Sequence, residues 1–247
     1  MYSSKVGAVI ILAIALIYLI CRLAAGRIGL RSRAYGRDKD RLIRKQIAAS
    51  LEESAPIHLD VGSSAEAGLS GGAVLAAADA TNTVSAQMAF ADEPWVITGG
   101  GGLAAAAEKD AVRMGMEAAD YGNSFDSDCT VFSGVSSVEH GAGNSAVLEM
   151  EPSALHLSMG SFGPSGALAD TLYTHGEILC VGGDDLLSQA AAAVSADAVY
   201  VGEQYTEIPD SLSRKEKKNP ALIAMDVMRW VLIAAVVVFA VMGLSGL

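Results

Sequence analysis

The sequence has little of several residue types that would identify its class directly. Only three cysteines, Cys21, Cys129 and Cys180, occur in 247 residues. An odd and sparse set of this kind is not a disulfide framework, and it is typical of a protein from a reducing compartment.

Positive charge is almost absent from the middle of the chain. From about Gln46 to Ser213 there are 24 acidic residues and only two bases, Lys109 and Arg113, which gives a net charge of −22. Such a surface repels a phosphate backbone, so the composition excludes a nucleic-acid-binding protein. The region is also long enough to bury the core of one ordinary domain without disulfides or metal.

The remaining bases are concentrated in two collars, residues 22–45 and residues 214–229. The first collar has nine bases and two acids, and the second has five bases and two acids. Each collar adjoins an uncharged apolar run, Val6–Cys21 at one end of the chain and Trp230–Leu247 at the other. Because about 20 helical residues cross the roughly 30 Å hydrocarbon layer, each run predicts a transmembrane helix. A cleavable signal peptide would have its bases in front of the apolar run rather than behind it.

The two collars also predict the orientation, because basic flanks prefer the cytoplasmic side of a membrane. We expect a membrane protein with two spans and a cytoplasmic central domain. The expected parts are a first membrane helix (1–26), a basic juxtamembrane segment (27–54), the acidic domain (55–213), a basic linker (214–229) and a second membrane helix (230–247). The bases expected at the anionic lipid surface are Arg22, Arg27, Arg31, Arg33, Arg41, Arg44, Lys45, Lys215, Lys217 and Lys218.

A third apolar pattern lies between the first span and the domain. In Asp38–Glu53 the residues Leu42, Ile43, Ile47 and Leu51 recur at helical spacing. This stripe is equally compatible with a helix on the lipid surface and with a helix that docks on the domain or on a neighbouring subunit.

The domain itself repeats a short apolar run, a Gly-rich turn and an Ala-rich stretch, which is typical of an α/β layered sheet. The predicted strands are Pro56–Val61, Pro94–Thr98, Cys129–Val135, Ala146–Glu151, Ala154–Met159, Glu177–Val181 and Ala198–Glu203. Because several of the later strands lie close together in the sequence, we expect a mixed sheet that is partly antiparallel. The predicted fold is therefore one α/β domain with a transmembrane helix at each end.

Small residues dominate the predicted helices, as in Ala104–Ala107 and Ala190–Ala193. Such faces allow close backbone contact, either with the domain's own sheet or with a second copy of the chain. Two membrane anchors would also confine neighbouring copies to a plane, so we expect a homo-oligomer that contacts the bilayer.

The clearest binding motif is the run Gly99, Gly100, Gly101 and Gly102, which fits G-x-G-x-x-A between a strand and a helix. Such a turn can present backbone N–H groups to a phosphate. Four consecutive glycines also fit a close-packed structural turn, and no acidic residue ends the next strand as the dinucleotide fingerprint requires.

Other candidate sites have weaker patterns. The acidic pairs Asp126 with Asp128, Glu149 with Glu151, and Asp184 with Asp185 lack the spacing of a calcium loop, and Asp184–Asp185 fit a helix N-cap. Ser145 and Ser161 have glycine neighbours but no G-x-S-x-G elbow, and His58, His140, His156 and His175 have no metal-ligand spacing. No catalytic residue or metal site is predicted, and the sequence does not identify a cofactor.

The segment Leu75–Gly102 (LAAADATNTVSAQMAFADEPWVITGGGG) resembles a family of uncharacterised bacterial two-helix membrane proteins. The resemblance implies a bacterial membrane protein and no activity. The sequence therefore favours a structural or scaffolding component of a membrane assembly. A nucleotide-responsive module at Gly99–Gly102 and a membrane-anchored hydrolase are the alternatives, and a Ser–His contact near 3 Å would favour the hydrolase.

Overall fold

The computed structural model describes residues 11–21, 23, 37–63, 71–91, 95–151, 153–163, 166, 178–183, 185–212 and 220–244. The chain divides into two compact units. One unit is Ala34–Arg214, and the other combines Met1–Arg33 with Lys215–Leu247.

The larger unit is built on a six-stranded sheet with the order β3-β2-β1-β4-β5-β6, and all of its strand pairs are parallel. After β1, the chain adds β2 and β3 on one side of the sheet, and after β4 it adds β5 and β6 on the other side. The boundary between β1 and β4 is therefore a topological switch point. The strands are β1 (Ile57–Ser63), β2 (Trp95–Gly100), β3 (Thr130–Gly134), β4 (Leu155–Ser161), β5 (Ile178–Gly183) and β6 (Ala198–Tyr200).

The described helices lie before, between and after these strands in the sequence. They are α1 (11–21), α2 (Arg37–Glu53), α3 (Gly71–Met88), α4 (Gly102–Ala118), α5 (Ser137–Met150), α6 (Leu186–Ala192), α7 (Ile208–Leu212) and α8 (Pro220–Leu244). Short 3₁₀ turns lie at Gly122–Ser124, Ser127–Cys129 and Gly202–Glu207.

The predicted α/β class is confirmed, but two predictions within it are wrong. The described strands form a parallel sheet rather than a mixed one, because the chain between neighbouring strands is long enough for the crossovers that parallel pairing requires. Residues 146–150 belong to α5 instead of a strand. That helix begins with a capping box of Ser136 and Glu139, and its last turn consists largely of helix-forming Ala, Leu, Glu and Met.

Strand alternation gives the two faces of the sheet different chemistry. On β1, the apolar residues Ile57, Leu59 and Val61 point into a core shared with α3 and α4. The intervening residues His58 and Asp60 point to the opposite face and are also fully buried. The sheet therefore has one apolar face and one polar face.

The apolar stripe of α2 docks on the domain. Ile43 and Ile47 are 0% and 2% exposed and belong to the main core. This helix carries three of the bases expected at the lipid surface, and all three are exposed: Arg41, Arg44 and Lys45.

Close packing of small residues joins α3 and α4. A Cβ atom at Gly115 of α4 would lie 2.5 Å from the carbonyl oxygen of Asn82 in α3. Ala77, Ala80 and Ala104 are also fully buried in the same core. These small residues therefore serve contacts within one chain.

The smaller unit contains α1 and α8. Cys21 of α1 is buried against Ile223 and Ala224 of α8. None of the helices in the described part of the chain is both long enough and apolar enough to cross a membrane, so the two predicted spans lack structural support. Residues 1–10, 22 and 24–26 of the first predicted span and residues 245–247 of the second lie outside the described residues.

Candidate functional site

The polar face of the sheet carries a buried cluster of histidine, aspartate and hydroxyl side chains. His58 and Asp60 lie on β1, and the residues beside them on β4 are His156 and Ser158. All four are at most 1% exposed. The cluster therefore lies at the switch point, where parallel sheets commonly place their ligand and active sites.

A serine, a histidine and an aspartate form one line of contacts in this cluster. Ser133 Oγ lies 2.5 Å from His140 Nδ1, and His140 Nε2 lies 2.9 Å from Asp60 Oδ1. Ser133 is half-buried, whereas His140 and Asp60 are 1% and 0% exposed. These are the residue types and contacts of a serine nucleophile, its general base and the group that orients the base.

The local sequence holds Ser133 and His140 together. Ser133 is near the end of β3, and Gly134 turns the chain with φ of 152° towards the Ser136 cap of α5. At Gly143, one turn beyond His140, a Cβ atom would lie 2.0 Å from the carbonyl oxygen of Ser133. Glycine at this position therefore allows α5 to approach β3 closely enough for the Ser133–His140 contact.

Asp60 has further hydrogen-bond donors besides His140. The side chain of Asn144 donates to Asp60 Oδ2 at 2.5 Å, and the backbone N–H of Gly62 donates to Oδ1 at 2.8 Å. Ser158 Oγ approaches Oδ2 at 3.5 Å. A buried carboxylate requires such donors to compensate for the loss of water.

A second line of contacts continues from Ser158 across the centre of the sheet. His156 Nε2 lies 2.6 Å from Ser158 Oγ, and the Nδ1 atoms of His156 and His58 are 2.5 Å apart. His58 Nε2 lies 2.9 Å from Thr98 Oγ1 on β2. Because two imidazole nitrogens in contact need one proton between them, the pair has one donor and one acceptor.

One assignment of protons fits both lines. An ionised Asp60 only accepts, so His140 donates from Nε2 and accepts the Ser133 proton at Nδ1. On the other side, Thr98 donates to His58, His58 to His156, His156 to Ser158 and Ser158 to Asp60. Both lines of hydrogen bonds are therefore polarised towards the same carboxylate.

Sequence reasoning missed this site, although it named all three histidines. The available signal is the alternation in β1 (IHLDV) and β4 (LHLSM), which places histidine and a second polar residue on one face of each strand. Two adjacent strands with buried polar residues on the same face indicate a network rather than a solvated face.

The structure separates the other predicted candidates from this network. Ser145 donates to the carbonyl of Gly141, and Ser161 ends β4. Asp126 accepts from the N–H of Asp128, and Asp185 caps α6, which confirms an N-cap at that aspartate. His175, Asp184, Arg22, Arg27, Arg31, Arg33, Lys215, Lys217 and Lys218 lie outside the described residues.

Part of the predicted phosphate-binding motif, Gly99–Gly102, belongs to a β-strand. Gly99 and Gly100 pair with β3 and β1, while Gly101 precedes α4 with φ of 82°. A Cβ atom at Gly99 would lie 2.4 Å from Glu108 Oε2, so Gly99 makes room for a buried side chain. No side chain caps α4, and phosphate binding at this turn stays a prediction.

Glu108 is a buried acid on the apolar face of the sheet. It is 0% exposed, and both of its carboxyl oxygens lack a hydrogen-bond partner. Burial raises the pKa of Glu108 well above its usual value, and Asp60 and Cys129 raise it further. The carboxyl group is therefore adapted to the protonated form.

No three histidine, cysteine or acidic side chains converge as metal ligands within the described residues. Two cavities of about 260 and 470 Å³ adjoin Trp95 and Cys129. Burial raises the pKa of the Cys129 thiol, which favours its uncharged form.

The chain was compared with known families, curated proteins and solved structures. It matches no family model, no curated protein and no solved structure.

Proposed function

We propose that the acidic domain is a serine hydrolase that cleaves carboxylic esters, with Ser133 as its nucleophile. The observation that carries the proposal is the Ser133–His140–Asp60 line, with contacts of 2.5 and 2.9 Å. Its position supports the same function, because Ser133 is near the carboxyl end of a parallel strand and is the half-buried end of the line.

The reaction follows from these contacts. As Ser133 Oγ forms a bond to the ester carbonyl carbon, its proton passes to His140 Nδ1. The carbon–oxygen bond to the alcohol then breaks, and His140 returns the proton to the leaving oxygen. Water repeats the sequence on the acyl-enzyme and releases the carboxylic acid and Ser133.

Asp60 has a positioning role in this scheme. It accepts from His140 Nε2, so Nδ1 remains the basic nitrogen that faces Ser133. The roles of the two nitrogens are the reverse of those in the chymotrypsin-type triad, but the donor–acceptor logic is the same. When His140 becomes positively charged, the adjacent carboxylate stabilises that charge.

Covalent labelling tests the proposal directly. A fluorophosphonate reacts with an activated serine by forming a phosphorus–oxygen bond and releasing fluoride, so wild-type protein should become labelled at Ser133. Ser133→Ala should lose both the label and the hydrolysis of p-nitrophenyl butyrate. Ser127→Ala is the matched control, because Ser127 is an exposed serine that contacts Asp128 rather than a histidine.

A purely structural network would give a different result. Folded wild-type protein that neither reacts with the probe at Ser133 nor hydrolyses the ester would overturn the proposal. His140→Gln should abolish labelling, and circular dichroism of the same sample should show a folded domain.

A membrane-associated scaffold is the second candidate, and exposed apolar side chains favour it. On α8, Trp230, Leu232 and Val236 are 72%, 64% and 59% exposed, and on α1 Leu12 is 69% exposed. Contiguous apolar surface of this kind needs lipid or protein to cover it. The contact of Cys21 with Ile223 and Ala224 also supports a common side for the two basic collars.

In this second candidate, the domain is cytoplasmic, the chain is anchored in the bacterial inner membrane and several copies assemble. Reporter fusions near Gly122 should behave as cytoplasmic and fusions at Leu247 as exported. Mass measurement in mild detergent should give a multiple of the 25.4 kDa chain. A monomer, or protein released from membranes by alkaline carbonate, would contradict this candidate, whereas the hydrolase would be unaffected.

A further inference from the structure

An apolar cavity lies next to the strand that carries Ser133. Its volume is about 260 Å³, and it is bounded by β2, β3 and the carboxyl-terminal half of α5. Four of its lining side chains are the apolar Val96, Val131, Val147 and Met150. A cavity with such walls favours an uncharged hydrocarbon group.

Strand geometry connects this cavity to the proposed nucleophile. Val131 and Ser133 are two residues apart on β3, so both side chains point to the same face and their Cα atoms are about 7 Å apart. A chain attached to Ser133 through an ester can therefore reach the cavity within a few bonds.

Charge at the cavity restricts what the far end of that chain can be. Asp128 and Glu151 also line the cavity, and none of its lining residues in the described part of the chain is a base. Because like charges repel, a second carboxylate on the acyl group would be disfavoured there. A chain that ends in a methyl group has no such penalty.

Exposed apolar residues continue the surface on the other side of Ser133. Val135 and Val138 are 56% and 57% exposed, within five residues of the nucleophile. The surroundings of Ser133 are thus apolar in both directions along the chain, in a domain whose overall charge is strongly negative.

We propose that the hydrolase selects esters of methyl-terminated fatty acids of medium length, with the acyl chain bound between β2, β3 and α5. The inference depends on the proposed function of Ser133 and adds its substrate class. Val147 is the residue that sets acyl length, because its half-buried side chain on α5 lines the cavity.

A series of p-nitrophenyl esters tests the substrate class on the full chain. We expect kcat/KM for the octanoate to exceed that for the acetate by about tenfold or more, since each buried methylene group favours the longer ester. Val147→Trp should fill the cavity and lower kcat/KM for the octanoate more than for the acetate, which removes this preference. Ala146→Trp is the matched control, because Ala146 is exposed on the same helix and does not line the cavity.

The outcomes separate the two proposals. Equal rates for acetate and octanoate, or a preference that survives Val147→Trp, would overturn the substrate class while labelling of Ser133 still supported the hydrolase. Absence of both hydrolysis and labelling would overturn the hydrolase and the substrate class together.

Discussion

The two faces of the sheet use the same strands in opposite ways. On β4, Leu155, Leu157 and Met159 point into the apolar core, whereas His156 and Ser158 belong to the polar network. Both sets are almost completely buried. The apolar face stabilises the fold through contacts that tolerate small shifts, whereas the polar face depends on each donor meeting an acceptor. The domain can therefore contain a buried polar network because the apolar face of the same sheet provides its hydrophobic core.

Among the substitutions that we consider, Asp60→Asn should disrupt the polar network most. The amide nitrogen would place a donor against either His140 or Asn144, both of which already donate to this side chain. We expect a loss of about 3–5 kcal/mol in the free energy of unfolding, measured by urea denaturation, because a buried charged partner is removed. Labelling of Ser133 should also disappear. Asp197→Asn, at an exposed aspartate, should change the stability by less than about 0.5 kcal/mol.

The apolar face should respond differently to truncation. Leu157→Ala removes a 0% exposed side chain from the core and should lower the free energy of unfolding by about 2–5 kcal/mol. The folded variant should still be labelled at Ser133, because Leu157 points away from the network. Loss of labelling in a well-folded sample would show that the two faces are not independent. Val194→Ala, at an 88% exposed position, is the matched control in urea denaturation.

The Gly99–Gly102 run allows a comparison within one turn. Gly101 has φ of 82° and ψ of 152°, a conformation almost restricted to glycine, so Gly101→Ala should cost about 1–3 kcal/mol in thermal unfolding. Gly102→Ala should be neutral or slightly stabilising, because Gly102 begins a helix and has open space around it. If the turn binds phosphate, millimolar nucleotide should raise the melting temperature of the wild-type protein, and this rise should be lost in Gly101→Ala.

The last effect depends on pH and concerns Glu108, the acid that lies on the apolar face. Because its pKa is raised in the folded state, unfolding releases a proton once the pH exceeds the ordinary carboxyl value of 4.5. The folded state should therefore lose stability relative to Glu108→Gln by about 1.4 kcal/mol per pH unit above that value, until the folded pKa is reached. Below pH 4.5 the difference in stability between the two proteins should no longer change with pH. Parallel stability curves across this range would show that Glu108 is not a buried acid.

Much of the fold could be predicted from local patterns. Six of the seven predicted strands are strands in the structure, because short apolar runs bounded by Gly turns have few other solutions. The seventh, Ala146–Glu151, failed because its apolar residues fit a helical period as well as a strand, and the decisive signal was the Ser136–Glu139 capping box upstream. The parallel arrangement of the strands could not be predicted from the sequence either, because the pairing of β1 with β4 depends on tertiary contacts.

The candidate site was much harder to predict. Ser133 has no nucleophile-elbow sequence around it, and Asp60 lies 80 residues before its partner His140. Only the sheet brings these residues together, and no local spacing rule describes that distance. Buried polar residues in alternation on β1 and β4 could have indicated the network, but not the identity of the nucleophile.

The large separation in sequence between Asp60 and its partners also has a consequence while the chain is being synthesised. Asp60 leaves the ribosome 98 residues before Ser158, the last of its described partners in the sequence. At ordinary elongation rates this interval lasts roughly 5–20 seconds. During much of that time β1 exposes an apolar face together with a charged group whose side-chain donors have not yet been synthesised. We therefore expect nascent chains that end before β4 to depend on chaperones, and those that include β4 to become resistant to proteases.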